Sequence, residues 1–158
     1  MACSKSFTPL QPLRGVVTTV AGSGRQASED GVGAEASFHC PGGIVQSRDG
    51  KMLYVADYEG RKIRALRLSD WTATTIAGSG ERGSANGVGA AASFYYPRSL
   101  AMSLDGKMLY VADGGGEKIR AVCLSDGLVS TIAGSGAAGN EDGVGAAASF
   151  NYPYGLAM

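Results

Sequence analysis

The sequence predicts an all-β protein, a partial β-propeller built from four-stranded antiparallel meander blades. One phrase of the chain recurs at intervals of 56 residues, and each repeat holds four short runs of β-forming residues separated by turn signals. Glycine supplies 25 of the 158 residues without the every-third spacing of collagen, which indicates frequent tight turns. A long internal repeat is typical of solenoids, propellers and arrays. An open solenoid of β-units is the weaker alternative.

The repeat extends over nearly the whole chain. "TVAGSG" at 19–24 returns as "TIAGSG" at 75–80 and at 131–136. "GKMLYVAD" at 50–57 returns at 106–113. Proline and phenylalanine recur in the same register, and the units align without insertion or deletion. We therefore expect copies of one supersecondary element.

Within one unit the pattern predicts four strands, which we call a to d. In the second unit these are "SLAMS" at 99–103, "KMLYVA" at 107–112, "KIRAVCL" at 118–124 and "LVSTIAG" at 128–134. Short apolar or alternating runs bounded by Gly, Asp and Ser are typical of strands. The dipeptide Asp105-Gly106 favours a two-residue hairpin turn between a and b. The first unit predicts equivalent strands near 51–56 and 62–68.

A longer segment, Ser135 to Asn151, separates strand d from the next strand a. A connection of this length suits a crossing from one sheet to the next. Its apolar end, "AAASF", predicts a short helical turn that buries Phe150 between sheets. Phe38 and Phe94 stand at the same place in the other crossings. In a propeller each four-stranded sheet covers the face of its neighbour.

The stretch "YPRSLAMSLDGKMLYVADGGGEKIRAVCLSDGLVSTIAGSG" resembles the NHL repeat, a family of propeller blades. The resemblance lies in the proline-led opening, the D-G turn, the Y-V-A-D strand and the K-I-R strand. The preceding pattern GxxDGxGxxAxF resembles the segment between blades in an NHL subgroup with long repeats. The chain departs from the family at Ser99, where glycine is usual, and lacks the common asparagine in 57–64 and 113–120. These departures concern turns more than the fold.

The resemblance divides the chain into an extension and a propeller segment. Its parts are an N-terminal extension at 1–14 and an NHL-type segment at 15–158, comprising a lone strand d at 15–24, blades at 41–80 and 97–136, and the start of another blade at 153–158. A closed propeller has roughly 4 to 8 blades. We therefore expect either that the chain is a piece of a longer protein or that several copies complete one ring, and we favour the piece.

The phrase "DGVGAAASF" at 142–150 contains G-x-G-x-x-A, the pattern of a dinucleotide-binding loop. Such a loop must follow a strand and open a helix within one βαβ unit. The same phrase stands at 30–38 and 86–94, and three such units do not fit in this span. The "AGSG" loops also lack the Lys-Ser/Thr ending of a phosphate-binding loop. We expect no cofactor.

Histidine and cysteine give little support for a metal site. His39 is the single histidine, and its repeat equivalents are Tyr95 and Asn151. We expect it to be a packed or solvated side chain, because a zinc site built mainly from histidine needs more of them. The NHL family contains a metal-dependent lyase with histidine ligands, and this chain lacks the residues for such a site. Cys40 and Cys123 occupy different repeat positions, and both are expected to be small packing residues.

Carboxylates recur in register at the ends of strands. The pairs are Asp49 and Asp105, Asp57 and Asp113, and Asp70 and Asp126. An aspartate in a turn can bind backbone N–H groups, and Arg64 or Arg120 can pair with Asp57 or Asp113 across the b–c hairpin. An active site is normally single, whereas these residues are copied with the blade. We therefore expect a structural role and no catalytic residue.

The charge balance argues against nucleic acid and membrane as partners. Fourteen Lys and Arg balance fourteen Asp and Glu, so no global field attracts a polyanion. The densest basic run, at 61–67, divides its charge between the two faces of a strand. RNA binding, known for some NHL propellers, is therefore possible but disfavoured. No apolar run reaches the length of a membrane span and no signal peptide is visible, so a cytoplasmic location is the default. Uncovered sheet faces predict self-association of the isolated chain.

The meander places the crossings and the b–c hairpins on one rim, and the a–b and c–d turns on the other. The copies diverge on the first rim, where exposed tyrosine and arginine are frequent interface anchors. The candidate binding residues are Tyr58, Arg61, Arg98 and Tyr154. The sequence therefore favours a non-catalytic scaffold that binds a protein or another ligand. The alternative is the framework of an NHL-type enzyme, a lyase or hydrolase or a kinase-linked protein, whose catalytic residues lie outside this chain.

Overall fold

The computed structural model describes residue 15 and residues 17–158. The expected N-terminal extension, 1–14, lies outside the described residues. The chain forms two antiparallel sheets of five strands each, which confirms the all-β prediction and the meander. Blade 1 contains β1 (Gly31–Val32), β2 (Pro41–Gln46), β3 (Met52–Asp57), β4 (Lys62–Arg67) and β5 (Thr72–Ala77). Blade 2 contains β6 (Gly87–Val88), β7 (Pro97–Met102), β8 (Met108–Asp113), β9 (Lys118–Cys123) and β10 (Leu128–Ala133).

Strands a to d of the two units are β2–β5 and β7–β10, each within two residues of its predicted start. The two-residue strands β1 and β6 were not predicted. Each comes from a crossing segment and pairs with strand d of its blade, with Gly31 opposite Ala73 and Val88 opposite Leu128. Each sheet therefore has a fifth, outermost strand that ties the crossing to the blade.

The prediction of a two-residue hairpin turn at the D-G dipeptides is wrong. Five residues separate β2 from β3, and the backbone N–H of Gly50 donates to the Ser47 carbonyl over 3.0 Å. Gly50 has φ +72° and Gly106 has φ +71°, whereas a two-residue type I′ turn needs positive φ at both central residues. The serine hydroxyl also accepts the Met52 N–H over 2.9 Å. Side-chain bonding thus closes a wider loop than the dipeptide alone indicates.

Each crossing contains a short 3-10 turn just before its phenylalanine. These turns are Gly33–Glu35, Gly89–Ala91 and Gly145–Ala147, the last lying one residue earlier than the predicted "AAASF" turn. Phe94 is fully buried, but Phe38 and Phe150 are only half-buried. The prediction that all three are mostly buried is therefore right only for Phe94, because it alone lies between two described blades.

The predicted lone strand d is not observed, since residues 17–24 contain no strand. The backbone N–H of Gly22 still donates to the Gly33 carbonyl over 3.0 Å, as Gly78 does to Gly89. The chain therefore follows the repeat geometry there without a ladder. Residues 153–158 likewise form no strand. A strand needs a hydrogen-bonded neighbour, and no strand among the described residues pairs with either segment.

The main core lies between the two blades. Tyr54, Ile63 and Ala65 of blade 1 pack against Leu100, Leu109, Val111, Val122 and Val129 of blade 2, together with Phe94 of the crossing. The inner strands β2 and β7 approach closely, because a Cβ added at Gly42 would lie 2.7 Å from the Arg98 carbonyl oxygen. On the opposite rim the Arg48 guanidinium donates to the Ser103 carbonyl over 3.3 Å. The inner strands of the two blades are thus in contact from one rim to the other.

Candidate binding rim

Backbone hydrogen bonds show which loops share a rim. The N–H of Glu59 donates to the His39 carbonyl over 3.0 Å, so the first b–c hairpin lies against the end of a crossing. On the other side the N–H of Leu68 donates to the Lys51 carbonyl over 2.9 Å, which joins the c–d and a–b turns. We call the first side the crossing rim and the second the turn rim. Each rim carries the loops that the meander predicts for it.

Three of the four predicted binding residues meet on the crossing rim. The guanidinium of Arg98, at the start of β7, lies 4.6 Å from the ring centre of Tyr58 and 4.7 Å from that of Tyr154. It lies equally close, at 4.7 Å, to Tyr152. The Tyr58 ring stacks on Tyr96 with centres 4.6 Å apart. We call these five residues the Arg98 cluster.

Hydrogen bonds join the guanidinium of Arg98 to two of the tyrosine hydroxyls. Nη2 of Arg98 donates to the hydroxyl of Tyr58 over 3.1 Å and to that of Tyr152 over 3.4 Å. The two hydroxyls are 3.4 Å apart. Their hydrogen bond, with burial, raises the pKa of Tyr58 to about 12. The bonds from Tyr58 and Arg98 lower the pKa of Tyr152. Either hydroxyl can be the donor in the bond between the two tyrosines.

Glycines make room for the cluster. A Cβ at Gly115 would lie 2.9 Å from the rings of both Tyr95 and Tyr96, and one at Gly114 would lie 3.2 Å from Cδ of Arg98. The "GGG" of the second b–c hairpin is thus required by close packing of aromatic and arginine side chains. Neighbouring Tyr152 has φ +55°, and its backbone N–H donates to the Glu117 carboxylate.

The charge of Arg98 is not neutralised by the protein. Within residues 17–158 it makes no ion pair with a carboxylate, in contrast to Arg64 and Arg120. Three electron-rich ring faces hold the guanidinium in place, an arrangement that favours a cation. Tyr154 at the edge is 69% exposed. The cluster therefore presents a fixed positive charge and phenolic donors to solvent, which suits a ligand with carboxylate or other acceptor oxygens.

Arg61, the fourth predicted residue, takes another place. It has φ +53°, and its Nη1 donates to the Gly80 carbonyl over 3.2 Å. Its Nε is buried without a hydrogen-bond partner. The side chain therefore joins the b–c hairpin to the end of strand d. Among the described residues, its guanidinium does not stack on a ring of the Arg98 cluster. Its divergence from Glu117 in the next copy reflects a local loop contact.

Sequence reasoning missed Tyr96 and Tyr152, and also a second cation. The guanidinium of Arg82 lies 3.7 Å from the ring centre of Tyr95, beside the cluster. Tyr96 and Tyr152 correspond to each other in the repeat, so a search for divergence between copies passes over them. The available signal was the tyrosine immediately before proline in "YYP" and "NYP".

The repeated aspartates have the structural roles expected of them. Asp57 accepts from Arg64 over 3.1 Å and Asp113 from Arg120 over 3.3 Å, and all four side chains are buried. Asp113 also accepts the N–H groups of Tyr95 and Tyr96. These carboxylates therefore bind the end of the crossing as well as their own hairpin.

The two buried arginines also hold the crossings. Arg64 donates to the carbonyls of Ser37 over 3.0 Å and Glu29 over 2.7 Å. Arg120 donates to the equivalent carbonyls of Ser93 over 3.2 Å and Ala85 over 2.9 Å. Each crossing is thus fixed by an arginine of the blade that follows it.

The remaining candidates have no site geometry. The backbone N–H of His39 donates to Asp57 over 2.7 Å. In the part of the chain that the structure describes, no three His, Cys, Asp or Glu residues lie together as metal ligands would. The described residues also contain no helix long and apolar enough to cross a membrane.

Comparison with known proteins supports the repeat assignment. No family model matches the chain. Over 155 residues it is 32% identical to Protein SUPPRESSOR OF QUENCHING 1, chloroplastic, of Arabidopsis thaliana, which covers 92% of this chain and 15% of that protein. Over 104 residues it is 32% identical to human NHL repeat-containing protein 2, covering 65% of this chain and 14% of that one. The chain thus spans about one seventh of these relatives.

The solved structures agree with the fold. A Bacteroides thetaiotaomicron protein of unknown function superposes with a TM-score of 0.66 at 26% identity, covering 73% of this chain and 29% of that one. An auxiliary nutrient binding protein of the same organism gives a TM-score of 0.65 at 24% identity. These neighbours have propeller-like folds. With the repeat, the blades and the relatives in agreement, the chain belongs to the NHL-repeat family of β-propeller blades.

Proposed function

We propose that the chain is a non-catalytic binding scaffold whose crossing rim holds a partner through the Arg98 cluster. The observation that carries the proposal is an arginine at the start of an inner strand that is surrounded by tyrosines and has no carboxylate partner among residues 17–158. Tyrosine and arginine are the residues that most often dominate binding energy at interfaces. Loops on a rigid scaffold are a common place for such residues.

The chemistry of the cluster favours a protein partner with an acidic residue. A carboxylate can neutralise Arg98 and accept from a tyrosine hydroxyl of the cluster, and the tyrosine rings supply apolar area around it. A polyanion such as RNA would need a broad positive surface. On this rim Glu59 and Glu117 stand close to the cluster, so an extended nucleic acid backbone is a poorer match.

Site-specific photocrosslinking tests this proposal. A photoreactive amino acid replaces the exposed Tyr154 on the crossing rim or, as the matched control, the exposed Leu104 on the turn rim. We expect a protein crosslinked from position 154 and not from position 104, and its capture should disappear when Arg98→Ala is added.

The opposite pattern would contradict the proposal. Crosslinks from position 104 alone would place the site on the turn rim. Crosslinks from position 154 that persist in Arg98→Ala would show that the Arg98 cluster does not bind the partner. Crosslinking to RNA instead of protein would overturn the partner class.

A further inference from the structure

The two outer faces of the structure repeat the two faces that pack together inside it. The outer face of blade 1 carries Ile44, Leu53, Val55 and Leu66, and each is equivalent, 56 residues on, to a residue of blade 2 that packs on blade 1. Ile44 is 58% exposed, while its equivalent Leu100 is 6% exposed. Leu53 is half-buried, and Val55 and Leu66 are 6% and 5% exposed. Blade 1 therefore leaves open, at Ile44, part of the surface by which blade 2 is held.

The outer face of blade 2 repeats the face of blade 1 that packs on blade 2. It carries Tyr110, Ile119 and Ile132, which are equivalent to Tyr54, Ile63 and Ile76 on the inner face of blade 1. Ile132 is 44% exposed and Ile119 half-buried, while Ile63 is fully buried. With Leu156 and Met158 these side chains line a shallow groove of about 340 Å³.

From this correspondence we infer that a second copy of the chain docks head to tail, its blade 1 on the outer face of blade 2. The contact continues the interface already present between blades 1 and 2, with the same residue types in the same register. Because two different faces meet, the contact is heterologous and can be repeated until a ring closes. Apolar faces of this kind rarely stay exposed in a soluble protein.

Docking requires two segments to move aside, the last part of the first chain and residues 17–24 of the docked copy. Val20 and Ala21 lie on the outer face of blade 1, where Ile132 and Ala133 of the first copy would be placed. Residues 153–158 lie beside β7, where the N–H of Leu156 donates to the Ser99 hydroxyl over 3.2 Å. The equivalent residues in a docked copy are those of its β2, which would take the same place. The crossing of the docked copy, 25–38, would likewise replace 137–150.

The hydrogen bonds show why this exchange is feasible. The crossings at 25–38 and 81–94 are fixed by Arg64 and Arg120. The third crossing has equivalent carbonyls at Glu141 and Ser149, and within residues 17–158 no arginine donates to them. A docked copy brings its own crossing with its own arginine, and therefore a better fixed segment than the one it displaces.

The test is the mass of the 158-residue chain by light scattering over a range of concentrations. We expect the mass to exceed that of a monomer and to rise with concentration. Ile44→Asp removes one docking face and Ile132→Asp the other, and each variant alone should be monomeric. Both positions are exposed in the single chain, so the variants should keep the wild-type circular dichroism. Val88→Asp, at a 54% exposed position on the outer edge of blade 2, should assemble like the wild type.

Mixing the two variants distinguishes this mode from other association. Each retains one intact face of the opposite kind, so an equimolar mixture should form a 1:1 dimer and nothing larger. A wild type that stays monomeric at every concentration overturns the inference. So does a mixture that stays monomeric although the wild type assembles, because that result indicates a symmetric or unspecific contact. Docking displaces Tyr152 and Tyr154 of the Arg98 cluster, but none of these measurements needs a partner bound to that cluster.

Discussion

At the scale of single residues, the Arg98 cluster is built from side chains of three successive units. Tyr58 belongs to the b–c hairpin of blade 1, Arg98 itself to β7, and Tyr152 and Tyr154 to the segment after the third crossing. The equivalent position in blade 1 is Gly42. Within residues 17–158 the cluster therefore occurs once although the scaffold is repeated.

Titration can detect the hydrogen bond between the hydroxyls of Tyr58 and Tyr152. The bond to Tyr152 raises the pKa of Tyr58 to about 12, so one tyrosine of the folded protein should ionise near that pH. Tyr152→Phe removes the partner hydroxyl and should return this ionisation toward pH 10. Tyr154→Phe removes a tyrosine without touching the bond and should leave the late step unchanged. Ultraviolet absorbance against pH measures both, and a late step that survives Tyr152→Phe would contradict the assigned bond.

The buried arginines should be far more important for stability than exposed ones. Arg120→Met leaves Asp113 buried without its cation, which should lower the free energy of unfolding by about 3–5 kcal/mol. Arg67 makes an exposed ion pair with Asp70 at 3.2 Å, and Arg67→Met should cost less than about 1 kcal/mol. Urea denaturation of both variants gives the comparison. Equal losses would mean that Arg120 does not support the crossing.

The turn aspartates predict an acid-sensitive fold. Serine hydroxyls and backbone N–H groups lower the pKa of Asp49 and Asp105. The backbone N–H groups of Thr72 and Leu128 are the main cause that lowers the pKa of Asp70 and Asp126. A carboxyl whose pKa is lower in the folded state stabilises that state above its unfolded pKa, and this stability is lost as the pH falls below about 4. Replacing all four by asparagine should flatten the fall in urea midpoint between pH 5 and pH 3. An unchanged slope would assign the acid sensitivity to other groups.

At the scale of elements, the meander is the part that the sequence predicts best. Alternation and D-G or S-D-G turn signals located all eight strands a to d, because these strands pair with sequence neighbours. The crossings were predicted less well. Their two-residue strands β1 and β6 depend on pairing with strand d, and such short ladders leave no periodic pattern. The segments 17–24 and 153–158 have strand-like sequences but pair with no strand among the described residues, so propensity alone does not make them strands.

Replacing the phenylalanines of the crossings should show which crossing is packed between two blades. Phe94 lies fully buried between the blades, and Phe94→Ala should cost about 3–5 kcal/mol. Phe150→Ala is the matched control, since it has the same position in the repeat but is only half-buried, and should cost about half as much or less. Thermal and urea denaturation of a monomeric chain measure the two. Losses of equal size would mean that the third crossing is packed as firmly as the second.

At the scale of the whole molecule, divergence between copies located part of the candidate site. It selected Tyr58, Arg98 and Tyr154, which the structure brings together. It also selected Arg61, whose contact with Gly80 depends on a left-handed backbone that sequence does not specify. Tyr96 and Tyr152 were missed because they are the same residue in both copies. A shared scaffold position can thus take part in a unique cluster when its neighbours differ.

The two proposals are linked through residues 151–158. Docking of a second copy moves Tyr152 and Tyr154 away from Arg98, whereas a partner on the cluster holds them in place. Partner binding should therefore favour the monomer, and raising the concentration of the chain should weaken it. Ile44→Asp prevents docking and should remove this concentration dependence.

The most direct test of the binding scaffold is the affinity of the crosslinked partner for two arginine variants. In the Ile44→Asp background, Arg98→Ala should weaken binding by about thirtyfold or more, as expected for an interface hot spot of about 2 kcal/mol. Arg67→Ala, which removes the same charge from the turn rim, should bind like the parent. Both should keep the parent's melting temperature. Equal affinity of Arg98→Ala and Arg67→Ala, measured by calorimetry, would contradict a site at the Arg98 cluster.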